Sequence, residues 1–221
     1  MVIAELPLQP GQTLLYTLRH GLTELNRSKR TGGQRLDVAL IQEGRRQAEE
    51  ARANFAGTSL DVVIASPLRR AIETAEIVTG WPRERTSIDE LATERDFGEL
   101  EGLTQEQIRE RFPYVVYLPI EHVRYSLNPP GGESFEALRQ RARAFLERTL
   151  RAHRGRRVLV SSHQNFMQQL HGELRGIDPY AALRFDILNL ELNAFHLDLD
   201  GRLLDHRVVY LCPDASKYPS F

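Results

Sequence analysis

Three short apolar runs rich in β-branched residues, each leading straight into a segment of helical spacing, set the narrowest bound on what this chain can fold into. They are Thr13 to Leu18, Asp61 to Ser66 ("DVVIAS") and Arg157 to Ser162 ("RVLVSS"). Runs of this kind are what a parallel sheet buries on both faces. After Ser66 comes "PLRRAIETAEIVTG", with Ser66 expected as N-cap, Pro67 at the first helical position and Gly80 as the stop. After Ser162 comes "HQNFMQQLHGEL", which sets Phe166, Met167, Leu170 and Leu174 on one face. "QEGRRQAEEARANFAG" and "SFEALRQRARAFLERTLRAHRG" also read as helices. The second carries an apolar stripe through Phe135, Leu138, Ala142, Phe145, Leu146 and Leu150.

This alternation predicts an α/β fold with a largely parallel sheet. The C-terminal stretch "LELNAFHLDLDGRLLDHRVVYL" instead alternates at period two around Asp200-Gly201, a hairpin turn pair, and predicts an antiparallel edge. The 221 residues suffice for one domain, 1–221, with a proper core, and no linker divides them. "NPPGGES", Asn128 to Ser134, reads as a loop feeding a helix. Residues 104–132 are the least regular and are expected to form an inserted cap over a site.

A net charge of −1 argues against a surface built for nucleic acid or anionic lipid. Cys212 is the only cysteine, which rules out an intramolecular disulfide and a cysteine-based metal site. No apolar run reaches the length of a membrane span. Met1 to Gly11 lacks the charged start and apolar centre of a signal peptide, so cytoplasm is the expected location.

In open α/β sheets, ligands sit beyond the carboxyl ends of the strands. The first run ends at Arg19-His20, the second leads into Ser66 and then Arg69-Arg70, and the third ends at His163. Glu94 follows a short strand expected at Thr86 to Ile88. Taken singly, each has a bland reading: a surface pair, a solvated helix face, a hydrogen-bonded core histidine, a solvated loop. Together they occupy one end of the predicted elements. Arginines there suit a phosphate, neutral histidine is a competent nucleophile, and a carboxyl group can protonate a leaving oxygen. That set suffices for phosphoryl transfer without a metal ion.

At this point the chain resembles the histidine phosphatase superfamily, also called phosphoglycerate mutase-like, from about Leu14 to Val208. "LRHGLTELN", "ASPLRRAIETAEIV", "TERDFGELEGL", "PPGGESF" and "VLVSSHQNFMQQL" resemble family blocks and occur in the family's order. The resemblance implies a three-layer α/β/α sandwich. It implies Arg19 as a phosphate ligand, His20 as the phosphorylated nucleophile, Arg70 rather than Arg69 on phosphate, Glu94 as proton donor and His163 as the second pocket histidine. Thr23, Asn26, Gly33 and Gln164 complete the expected site on the substrate side, with Thr31 and Gly32 as alternatives to Gly33. No cofactor and no metal are implied.

Gln164 departs from the family pattern, in which glycine usually follows the second histidine, and Leu22 stands where an acidic residue is frequent. The basic insertion typical of phosphoglycerate mutases after the acid block is not recognisable. The sequence therefore favours a phosphatase acting on a small phosphorylated substrate. A mutase-type phosphotransferase and a catalytically idle phosphoester-binding regulator are the alternatives. The hairpin edge leaves room for a homo-oligomer.

Overall fold

A computed structural model describes residues 8–213; both ends of the 1–221 domain, and with them most of the Met1–Gly11 reading, lie outside the described residues. A six-stranded sheet forms the middle layer. Its strands are β1 (Gln12–Arg19), β2 (Val62–Ala65), β3 (Ser87–Ile88), β6 (Arg157–Ser162), β7 (Glu191–Asp198) and β8 (Leu203–Tyr210), in the order β3-β2-β6-β1-β7-β8. The first four run parallel, and the C-terminal hairpin adds β7 antiparallel to β1 and β8 antiparallel to β7. The hairpin turns at Gly201, whose φ of 82° suits glycine.

Alternation along the strands sends side chains into two separate cores. A single helical turn, α1 (Glu24–Arg27), follows β1; Leu14, Tyr16 and Leu18 of β1 pack with Ala48, Ala51 and Phe55 of α2 (Gln42–Phe55) and with Ala75 and Val78 of α3 (Arg69–Thr79). On the other face Leu15, Val158 and Val160 meet Leu138, Ala142 and Phe145 of α5 (Phe135–Ala152). Phe166, Met167 and Leu170 of α6 (Gln164–Arg175) complete that core. The result is the expected three-layer sandwich.

The start of α3 differs from the expectation at Ser66 and Pro67. Leu68 is the N-cap residue and makes no side-chain cap, while Asp37, from a distant loop, accepts the Arg69 N–H at 2.7 Å. Ser66 Oγ turns inward instead, where it accepts the Leu68 N–H and meets His163. Gly80 ends the helix in the left-handed conformation, as expected.

Residues 104–132 are more regular than the sequence suggested. Thr104 and Gln107 form a capping box for α4 (Gln105–Arg111), and β4 (Tyr117–Ile120) pairs with β5 (Val123–Ser126) as a separate hairpin. Ile108 and Val115 of this part pack with Leu100, which precedes it, in a small apolar cluster.

Candidate active site

Register brings the strand ends level. Arg19 pairs with Ser162, and Ala65 with Ser161, so the residues just past three parallel strands lie side by side. The ladder continues one step beyond: His20 N–H donates to Ser162 O and Ser66 N–H to Ser161 O, each at 3.0 Å. Arg19, His20 and Arg70 line one cavity together with Glu94, and all four are at most 5% exposed.

His20 is held by its backbone-side nitrogen. Nδ1 lies 2.8 Å from Gly21 O, which fixes the proton there and leaves Nε2 unprotonated. Burial, then the charges of Arg70 and Arg19, push the imidazole pKa well below its usual value, so the ring is neutral. The peptide groups around it are fixed as well. Asn189 Nδ2 donates to His20 O at 2.6 Å, and Gly21 N–H donates to Thr74 Oγ1 at 2.9 Å.

Arg70 is aimed by three acceptors. Its Nη2 donates to Gly33 O at 2.8 Å, Nη1 to Leu36 O at 3.1 Å and Nε to His163 Nδ1 at 3.2 Å. Burial lowers its pKa to about 10, which still leaves it charged at neutral pH. Arg19 Nη1 donates to Ile187 O. Arg69, next to Arg70 in the sequence, is exposed, so the two cations after Ser66 do have separate environments.

Glu94 faces these cations from a loop. Its carboxyl group accepts the N–H groups of Arg95 and Phe166 on Oε1, at 2.8 and 3.1 Å, and of Asn165 on Oε2 at 3.3 Å. The last two belong to the first turn of α6. Burial outweighs these bonds and the Arg70 charge, and raises the Glu94 pKa above the ordinary carboxylate range. A buried carboxyl biased toward its protonated form stands beside a buried neutral imidazole.

His163 is placed behind the cavity rather than in its wall. It is fully buried, its ring centroid lies 5.1 Å from that of His20, and its Nε2 sits 2.7 Å from Ser66 Oγ. Thr23, Asn26 and Gln164 line the cavity. Thr23 donates its hydroxyl to Asn26 Oδ1 at 2.8 Å, so the Asn26 amide NH₂ is the group left to face a ligand. Gly33 does not line it. Its carbonyl is spent on Arg70 and a Cβ there would meet Glu101; Thr31 and Gly32 form that wall instead.

Sequence reasoning missed Asn165 as a cavity residue, and it placed Arg124, Tyr117 and Tyr125 in the 104–132 segment without singling them out as site residues. The first was legible in principle as the second residue of a helix starting at a strand end. The others sit on the β4–β5 hairpin, whose turn at Glu121 and His122 has no glycine or asparagine to announce it. Among the described residues, no group of three His, Cys, Asp or Glu side chains is arranged to hold a metal ion, and no helix is long and apolar enough to cross a membrane.

Comparison with known proteins bears on the family and the fold. The chain is 28% identical over 208 residues to a phosphoglycerate mutase of Schizosaccharomyces pombe, covering 91% of this chain and 98% of that protein. It is 33% identical over 215 residues to the bifunctional protein Rv2228c of Mycobacterium tuberculosis, covering 90% of this chain but 56% of that longer protein. The crystal structure of an alpha-ribazole phosphatase from Shigella flexneri superposes with a TM-score of 0.76 at 23% identity, over 89% of this chain and 96% of that one. The family model for the histidine phosphatase superfamily (branch 1) matches residues 15–208, and the chain belongs to that superfamily.

Proposed function

We propose that this protein is a metal-independent phosphatase of small phosphomonoesters that works through a phosphohistidine on His20. The observation that carries the reading is the pairing of an unprotonated His20 Nε2 with a Glu94 carboxyl biased toward protonation, in one cavity with Arg19 and Arg70. In the first step the Nε2 lone pair attacks phosphorus in line. The bond to the leaving oxygen breaks, and the Glu94 proton passes to that oxygen, releasing the alcohol. In the second step water attacks phosphorus, the P–N bond breaks, and the water proton returns to the Glu94 carboxylate. The products are alcohol and inorganic phosphate, and Nε2 regains its lone pair. Arg19 and Arg70 neutralise the phosphoryl oxygens through both transfers, with Arg70 oriented by His163.

Thr23, Asn26 and Gln164 contact the substrate beside the phosphoryl group, and residues 104–132 act as the cap that receives the leaving alcohol. Ile108, Val123 and Tyr117 give that end an apolar wall, and Arg124 and Arg30 are cations there. A mutase-type phosphotransferase is the second reading, favoured by the likeness to the Schizosaccharomyces pombe phosphoglycerate mutase. A panel of phosphorylated metabolites, scored both for free phosphate and for isomer exchange, with and without a chelator, separates the two. Free phosphate in chelator supports the phosphatase. Isomer exchange without phosphate release supports the mutase, activity lost on chelation overturns metal independence, and binding without turnover supports an idle protein.

A further inference from the structure

Glu94 reaches the cavity from a stretch, Thr93 to Phe97, that belongs to no strand of the sheet. Something other than a strand ladder must hold its backbone. The side chain is fixed from within, by the N–H groups of Arg95, Asn165 and Phe166. The backbone is fixed from behind by one residue of α5. Arg141 Nη1 donates to Thr93 O at 2.6 Å and to Leu91 O at 2.9 Å, and its Nη2 donates to Glu94 O at 3.1 Å. One guanidinium thus holds three carbonyls around the residue that carries the carboxyl group.

That guanidinium is itself held. Glu133 takes it in a two-point fork, Nε to Oε1 at 3.0 Å and Nη2 to Oε2 at 2.7 Å, with both side chains only 16% exposed. Glu133 is also tied to the chain just past Glu94. Its N–H donates to Asp96 O at 2.8 Å, and its own carbonyl accepts Arg95 Nε at 2.8 Å. Arg141 further sits over the Phe166 ring, 5.7 Å from its centroid, and Phe166 is a residue whose N–H holds Glu94 Oε1. A lysine has one nitrogen and no planar fork, so it cannot reproduce this arrangement.

Arg141 does not line the cavity and touches no reacting atom. We propose that Arg141, braced by Glu133, is a positioning residue that sets where the Glu94 carboxyl group stands relative to the leaving oxygen. This rests on the reading of Glu94 as proton donor. A misplacement of about 1 Å can cost on the order of a hundredfold in rate, and general acid catalysis is sensitive to such shifts. A brace that merely supported the fold would affect all substrates alike. A brace for the proton donor matters only where the leaving group needs a proton.

The test measures kcat/KM of the full chain on glycerol 2-phosphate, whose alkoxide leaves poorly, and on p-nitrophenyl phosphate, whose phenolate leaves unaided. The variants are Arg141→Lys, Glu133→Gln, Glu94→Gln and the Arg141→Lys/Glu94→Gln pair. Arg141→Lys is expected to lower the glycerol phosphate value by about tenfold or more while changing the nitrophenyl value by no more than about threefold. In the Glu94→Gln background the same substitution is expected to cost about twofold or less, since coupled residues are not additive. Equal losses on both substrates, or a full Arg141 effect persisting without the Glu94 carboxyl, overturn the proposal. If Arg141→Lys does not fold, Glu133→Gln, which weakens the fork and spares the carbonyl contacts, carries the same comparison. A Glu94→Gln variant that treats both substrates alike marks failure of the proton-donor reading. Selective loss in Glu94→Gln beside uniform loss in the Arg141 and Glu133 variants marks failure of the positioning role alone.

Discussion

Arg70 and His163 form a donor–acceptor pair, with the Arg70 Nε–H directed at His163 Nδ1 over 3.2 Å. Because Nδ1 accepts, the ring proton sits on Nε2 and is donated to Ser66 Oγ at 2.7 Å. Burial and then the Arg70 charge hold His163 well below the usual imidazole pKa, so it stays neutral. The pair therefore keeps one positive charge, on the arginine, and uses the histidine as its support. Ser66 ends the relay, which explains why it is drawn away from the helix start where the sequence placed it.

Removing that end of the relay has a defined cost. Ser66→Ala strips a buried imidazole N–H of its acceptor, which is expected to lower stability by about 1–3 kcal/mol. With Arg70 less well supported, turnover should fall for alkyl and aryl phosphates in equal proportion, because both need the same phosphate clamp. Thermal unfolding and kcat/KM on the two substrate types check both parts. Unchanged stability with unchanged turnover would mean that the serine contact is incidental.

Activity should lean to the acid side of neutrality. His20 must be unprotonated to attack, and its lowered pKa moves the acid limb well below about 6.5. Glu94 must be protonated in the first step, and its pKa, raised by burial, carries the alkaline limb to higher pH than an ordinary carboxyl group would give. Once each value is corrected for the titration of its own substrate's phosphate, the ratio of kcat/KM for glycerol 2-phosphate to that for p-nitrophenyl phosphate cancels the titration of His20 and isolates Glu94. That ratio is expected to fall as pH rises through the Glu94 pKa and to be flat in Glu94→Gln.

Gln164, which lines the same cavity as His20, is expected to set its width there. It is buried at the first position of α6 and lines the pocket, where the family pattern has glycine. Gln164→Gly should admit bulkier alcohols, improving kcat/KM for a branched phosphomonoester relative to glycerol 2-phosphate by roughly tenfold. An unchanged ratio would move the selectivity to residues 104–132.

Acid should unfold the protein through its buried histidines. His20, His163 and His171 all have folded-state pKa values depressed first by burial. Both folded and unfolded chains hold them neutral above about pH 6.5, so their contribution to stability is fully present there. As pH falls below that value the unfolded chain takes up protons first, and each histidine removes about 1.4 kcal/mol per pH unit until its folded form titrates. His171 lies further along α6, where it does not line the cavity, and bonds Thr17 Oγ1 at 2.8 Å. His171→Gln should flatten the dependence of chemical-denaturation stability on pH between about 6 and 5. An unchanged slope would show that His171 does not titrate on unfolding.

What was legible in the sequence had a periodic or local cause. The three apolar runs and the hairpin at Asp200-Gly201 appear as β1, β2, β6 and the β7–β8 pair, because burial on both faces, or on alternate residues, leaves a direct pattern. Arg19, His20 and Arg70 lie together because strand ends in register are brought level, and Glu94 joins them from a loop. The parts that were not legible depend on long-range contacts. Asp37 caps α3 from another loop, Gly33 is turned to Arg70, and Arg141 reaches the Glu94 backbone from α5. None of these pairings has a spacing that a single sequence displays.

The most direct measurement is whether the protein becomes phosphorylated during turnover, and where. Rapid acid-free quenching of the enzyme with ³²P-labelled substrate is expected to trap an alkali-stable, acid-labile phosphoryl group on His20 Nε2, absent in His20→Ala, which should also be inactive. Label that persists in His20→Ala, or steady turnover with no labelled protein at any time, would contradict the account.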